Sequence, residues 1–92
     1  LEMITQQSLD KAISVCREFG VKELILFGSA AKNFTDAEDL DIAIENQTKG
    51  DFLDLAVRLE EELDVKVDLV KLYSDDRFSD YIRKTGRLIN VQ

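Results

Sequence analysis

The sequence predicts a small α/β (α+β) domain in which a mixed β-sheet of three to four strands carries helices packed on one face. Apolar residues recur at helical spacing in three segments, and short apolar or alternating runs typical of strands lie between them. The order is helix, strand, strand, helix, strand, helix and a last short strand, so the helices must cover an apolar sheet face. A length of 92 residues fits a single domain over residues 1–92.

The first half of the chain predicts one helix and two strands. Residues 5–19 carry apolar side chains every three or four positions, and Gly20 suits the end of that helix. Residues 23–27 form a short apolar run, typical of a buried strand. Residues 40–44 alternate, so Asp41 faces away from the apolar side of the second strand.

The second half predicts a longer helix, a strand, a shorter helix and a final strand. Residues 51–63 carry an apolar stripe at helical spacing, and residues 65–72 alternate as a half-buried strand does. Ser74 is expected to cap the next helix and Gly86 to end it. Residues 88–91 then predict a last short strand.

Composition excludes several kinds of chemistry. The chain has no histidine, which removes Ser-His-Asp and Cys-His catalysis, and Cys16 alone forms neither an internal disulfide nor a cysteine-rich zinc site. Any metal would therefore be a hard cation held by carboxylates. A net charge of -7 argues against binding of long nucleic acids, and the absence of a leader or an apolar span predicts a cytoplasmic protein that does not enter membranes.

Three polar features lie beside the predicted strands. Gly28 and Ser29 follow the first strand, where glycine allows close backbone approach and serine adds a hydroxyl for a phosphate. Asp39 and Asp41 open the second strand two positions apart and so share a face. Asp68 would complete a three-carboxylate cluster if its strand is a neighbour, and such a cluster favours a bound cation. Each feature alone also fits a turn or a solvated strand face; their joint order favours a site.

These residues resemble a known signature. The segment FGSAAKNFTDAEDLDIAI (residues 27–44) resembles that of the minimal nucleotidyltransferases of the DNA polymerase β-like superfamily, in which Gly-Ser precedes Asp-x-Asp. The resemblance continues through VKVDLV (residues 65–70), where the family has its third Asp, and covers nearly the whole chain. It implies a nucleotidyltransferase-like fold and transfer of a nucleoside monophosphate with release of pyrophosphate.

The resemblance also implies roles for particular residues. It assigns Gly28, Ser29 and Lys32 to nucleotide binding, and Asp39, Asp41 and Asp68 to catalysis and to two Mg²⁺ ions. Asp68 would also be the general base, and ATP the donor. Three departures keep open a catalytically degenerate module that acts by binding alone: Lys32 replaces the usual Arg, Glu38 the usual Ser, and the Gly-Ser to Asp spacing is one residue short.

A domain of this size has no fingers or thumb to hold a template, so its acceptor must come from another molecule. By resemblance we expect a HEPN-domain toxin whose hydroxyl is adenylylated, making this chain the antitoxin of a toxin–antitoxin system. Homodimerisation would also let so small a domain bury leftover apolar surface. A carboxylate-rich Ca²⁺ or Mg²⁺ binder and a generic α/β domain are weaker alternatives.

Several other side chains have two interpretations. Phe34 is expected to anchor its loop rather than stack on a base, and Tyr81 to lie in the core with Phe78. The basic residues near the C-terminus are expected to form ion pairs on a solvated helix face rather than a contact for phosphate or an acidic partner; they are Arg77, Arg83, Lys84 and Arg87.

Overall fold

The computed structural model describes residues 4–33 and 39–92. In chain order the elements are α1 (Gln6–Glu18), β1 (Glu23–Leu26), α2 (Ser29–Asn33), β2 (Asp39–Ile44), α3 (Phe52–Glu62), β3 (Lys66–Lys71), α4 (Arg77–Thr85) and β4 (Arg87–Asn90). Within these ranges, none of the helices combines the length and apolar character needed to cross a bilayer. Phe34 and Glu38 lie outside the described residues, so their interpretations stay predictions.

The four strands form one mixed sheet in the order β3-β2-β1-β4. β1 pairs antiparallel with both β2 and β4, whereas β2 and β3 run parallel. The parallel pair is connected through α3, as a crossover between parallel strands requires. The predicted fold class, a small mixed α/β sheet, is confirmed.

The main core lies between the sheet and helices α1 and α3. Alternate strand residues point toward these helices, and the α1 thiol of Cys16 is fully buried among them. Burial raises the pKa of Cys16 to about 12, so the thiol is a core group, as the helical spacing predicts. The buried members are Ile4, Leu9, Ala12, Val15, Cys16, Val21, Leu24, Leu26, Leu40, Ile42, Ile44, Leu55, Leu59, Leu63 and Val91.

The other face of the sheet carries α4. Ile82 of α4 is buried with Ala43 of β2 and with Leu72, which follows β3. These strand residues alternate with those of the main core, so the sheet has apolar residues on both faces. Arg83 adds ion pairs to Glu45, just after β2, and to Asp80 at 3.1 and 3.3 Å. The prediction that the helices pack on one face is therefore wrong for α4: α1 and α3 share one face, and α4 packs on the opposite one because apolar residues such as Ala43 also lie there.

The cap predicted for α4 is wrong. Asp76, not Ser74, is the N-cap, and its Oδ2 accepts hydrogen bonds from the backbone N–H of Ser79 (3.0 Å) and from Ser79 Oγ (2.8 Å). Ser79 Oγ in turn accepts a hydrogen bond from the backbone N–H of Tyr73 at 2.9 Å, which joins the start of α4 to the end of β3. Asp76 is the cap because it lies directly before the first helical residue, so its side chain reaches the backbone N–H of the third helical residue, Ser79. Gly86 ends α4 as predicted. The N-cap of α1 is Thr5.

This assignment predicts unequal effects for two substitutions. Asp76→Ala should lower the free energy of unfolding by about 1–2 kcal/mol, because it removes the cap and one partner of the buried Ser79 hydroxyl. Ser74→Ala, at an exposed position outside α4, should change it by less than about 0.5 kcal/mol. Urea denaturation measures both values, and equal losses would contradict the assigned cap.

Candidate active site

The site begins where β1 ends. Phe27 donates its backbone N–H to the carbonyl oxygen of Asp41 at 3.1 Å, and Gly28 then turns the chain into α2 with φ of +64°. A side chain at Gly28 would meet Asp41 Oδ2 closer than real Cβ atoms approach, and the positive φ disfavours other residues. The positive φ therefore favours glycine, and the absence of a side chain leaves a cradle against the Asp41 carboxylate, which would otherwise have to move.

The parallel pairing of β2 and β3 sets the positions of the carboxylates. Asp41 lies directly beside Asp68 in the register, and Asp39 lies beside Lys66. Since alternate residues of a strand share a face, these four side chains belong to the face that carries α4. The expectation that Asp68 lies near Asp39 and Asp41 requires their two strands to be neighbours. The sheet order shows that β2 and β3 are neighbours.

Asp41 is the most perturbed carboxyl of this group. Partial burial raises its pKa above the ordinary aspartate value, and the carboxylates of Asp68 and Asp39 raise it further. The ammonium of Lys66 opposes this shift. Charge repulsion of this kind is relieved when a cation lies among the carboxylates, so the electrostatics of the face suit a bound metal.

The residues expected to bind phosphate lie next to this face. Ser29 begins α2 and is exposed, and Lys32 in the same helix is also exposed. Their roles in nucleotide binding remain predictions. Arg83, in contrast, forms ion pairs with Asp80 and Glu45, as the prediction of ion pairs on a helix face expects for this residue.

An apolar cleft adjoins Gly28 and was not anticipated from the sequence. Its volume is about 340 Å³, and its lining includes Phe27, Gly28, Ala31, Lys32, Phe78 and Tyr81; we call it the aromatic cleft. The expectation that Tyr81 is a core residue is wrong: Tyr81 is 64% and Phe78 52% exposed. The buried side of α4 carries Ser79 and Ile82. Phe78 and Tyr81, which share a stripe of the helix, lie outside that side and line the cleft.

The donor set fits a hard divalent cation in chemistry. Carboxylate oxygens are the preferred ligands of Mg²⁺, and the Gly28 cradle leaves room at the Asp41 carboxylate that any other residue would fill. Across residues 4–33 and 39–92, however, no three acidic or cysteine side chains already converge closely enough to hold an ion. Asp39, Asp41 and Asp68 are thus aligned on one face by the register, with their side chains not gathered around one point.

The carboxylate repulsion predicts a stability change. Because the folded pKa of Asp41 lies above its unfolded value, folding favours the protonated form, and stability falls as pH rises through the raised pKa. In EDTA at neutral pH, Asp41→Asn should therefore raise the melting temperature by about 2–4 °C, the effect of relieving one cross-strand like-charge contact.

The control is Asp64→Asn, which removes one charge from an exposed position before β3. It should leave the melting temperature nearly unchanged. Differential scanning calorimetry between pH 4 and 8 would follow both proteins. A lower melting temperature for Asp41→Asn than for Asp64→Asn at neutral pH would contradict the repulsive cluster.

Comparison with known proteins identifies the family of the chain. A search of curated proteins found no match to the chain. The family model described as "Polymerase beta, Nucleotidyltransferase" matches residues 10–92, a span that includes the Gly28 turn and all three aspartates. Because that match covers most of the chain, the protein belongs to the polymerase β-type nucleotidyltransferase family.

Proposed function

We propose that this domain is a Mg²⁺-dependent nucleotidyltransferase that transfers AMP from ATP to a protein hydroxyl. The observation that carries the proposal is the register that puts Asp41 beside Asp68 on one sheet face, with Gly28 against the Asp41 carboxylate. Family membership supports nucleotidyl transfer in general. The donor base, the metal and the acceptor class rest on the resemblance of residues 27–44 and 65–70 to the minimal nucleotidyltransferases.

In this proposal each residue has a distinct task. Gly28, Ser29 and Lys32 bind the triphosphate, glycine through close backbone approach and lysine as a point charge. Asp39, Asp41 and Asp68 would hold two Mg²⁺ ions, which when bound neutralise charge on the phosphates and activate the attacking hydroxyl.

The proposed transfer needs no histidine, because a carboxylate can accept the proton of the attacking hydroxyl. The hydroxyl oxygen of the acceptor forms a bond to the α-phosphorus of ATP, and the bond from that phosphorus to the bridging oxygen breaks. Pyrophosphate leaves, and Asp68, which is exposed on β3, accepts the hydroxyl proton. The product is an acceptor carrying AMP through a phosphodiester bond.

For the acceptor we propose a HEPN-type toxin, neutralised by adenylylation in the manner of an antitoxin. The described part of the chain has a single four-stranded sheet and no additional layer that could hold a template. The proposal therefore takes the acceptor group from another molecule. The proposal is also compatible with a homodimer of this chain.

A second candidate is a degenerate module that neutralises its partner by contact. One observation favours it: within the described ranges, no three acidic or cysteine side chains are gathered closely enough to hold a metal ion. In this alternative the three aspartates remain part of the fold's surface, and no nucleotide is consumed.

Titration calorimetry with MgATP tests the nucleotide site directly. The wild-type chain should bind MgATP saturably, whereas ATP in EDTA should bind at least tenfold more weakly. Asp39→Asn/Asp41→Asn should abolish the Mg²⁺ dependence, because it removes two of the three proposed ligands. The matched control, Asp64→Asn/Asp75→Asn, removes the same charge from exposed positions outside the sheet. Equal binding by the two double variants would contradict the assignment.

Co-expression with the toxin separates the two candidates. If transfer neutralises the toxin, the wild-type protein should increase the mass of the toxin by about 329 Da, the mass of AMP less that of water, at one hydroxyl. Asp39→Asn/Asp41→Asn should lose both the added mass and protection of the cells. Protection that persists without the added mass would establish neutralisation by contact and overturn the enzymatic proposal.

A further inference from the structure

The aromatic cleft and the carboxylate face meet at one residue. Gly28 contacts the Asp41 carboxylate on one side and lines the cleft on the other. Lys32, one turn further along α2, lines the same cleft. A molecule whose phosphates lie at Gly28 and Lys32 therefore reaches the edge of the aromatic cleft.

The cleft walls are held firmly from two sides. Phe27 and Phe78 contact each other edge to face, with ring centroids 6.3 Å apart and planes at 87°. α4 is joined to β3 through Ser79 and is buried against the sheet at Ile82. Tyr81 lies one residue before Ile82 and presents 64% of its surface to solvent. An exposed aromatic ring on an anchored helix suits stacking, because the backbone is already fixed and only the two side-chain torsions are ordered when a ligand binds.

We propose that the aromatic cleft holds the planar base of the donor nucleotide, with the ring of Tyr81 against the base. This inference rests on the proposed function, because it places the base of the same nucleotide whose phosphates lie at Gly28. The cleft volume of about 340 Å³ lies at the lower end of the range for small-molecule sites, which suits part of a nucleotide. Lys32, which follows Gly28 on α2, lies with the phosphates in this proposal, and the α4 wall of the cleft, with Phe78 and Tyr81, is left for the base.

The test compares ligands with and without a base. The Mg²⁺ complexes of ATP and of inorganic tripolyphosphate are titrated into the intact chain by calorimetry. Wild-type protein should bind MgATP more tightly than Mg-tripolyphosphate. Tyr81→Ala should weaken MgATP binding about tenfold, the usual loss for one base–aromatic stack, and leave tripolyphosphate binding unchanged.

Two variants control for structural damage. Tyr81→Phe keeps the ring and should retain wild-type affinity for MgATP. Tyr73→Ala removes the other tyrosine, which is similarly exposed but does not line the cleft, and should also retain it. If Tyr81→Ala binds MgATP as wild type does, or if Tyr73→Ala loses as much affinity, the base subsite is wrong.

A second measurement uses the tyrosine content of the chain. The sequence has two tyrosines and no tryptophan, so in Tyr73→Phe the near-ultraviolet emission comes from Tyr81 alone. MgATP should quench this emission in a short-path cell, and Mg-tripolyphosphate should not. Quenching by neither ligand, with both bound equally, overturns the base subsite and leaves the proposed function intact. Binding of neither ligand overturns both.

Discussion

The candidate site depends on one local constraint, the contact of the Gly28 backbone with the Asp41 carboxylate. Asp41 is fixed from the other side by the parallel register, in which it lies beside Asp68. Any side chain at residue 28 would displace the Asp41 carboxylate, and the positive φ restricts the position to glycine as well. The turn after β1 and the carboxylate face are thus one structural unit. The turn into α2 can therefore lie directly against the Asp41 carboxylate.

The same unit carries an energetic cost. Partial burial and two neighbouring carboxylates raise the pKa of Asp41, so its ionised form is disfavoured in the folded protein. Lys66, beside Asp39 in the register, offsets part of this repulsion. The cost is tolerated because the main core, between the sheet and helices α1 and α3, is built from the opposite face of the strands. The main core and the candidate site therefore use different faces of β2 and β3, whereas the smaller cluster around Ile82 shares the face of the site.

Much of this arrangement follows from the sequence. Strand alternation places Asp39 and Asp41 on one face, and the apolar spacing of α1 accounts for the burial of Cys16. The alternation of residues 65–72 gives the face of Asp68 but not its neighbour, because pairing partners depend on the sheet order. The predicted cap of α4 was wrong for a local reason: aspartate caps a helix as well as serine does, and only the position of the first helical residue, Arg77, selects Asp76 over Ser74. Tyr81 was misassigned because helical spacing shows which residues share a stripe but not which stripe meets the sheet.

The face that bears the carboxylates is divided along each strand. In β2, Ala43 follows Asp41 by two positions, and in β3, Val70 follows Asp68 by two, so both strands change from acidic to apolar at the same level. Ile82 of α4 packs on the apolar half, which fixes where the helix crosses the sheet. The helix side turned from the sheet then carries Tyr81 to the margin of the acidic half, beside Gly28. The change from Asp41 and Asp68 to Ala43 and Val70 thus ends the row of carboxylates. It also provides the apolar surface on which α4, one wall of the aromatic cleft, packs.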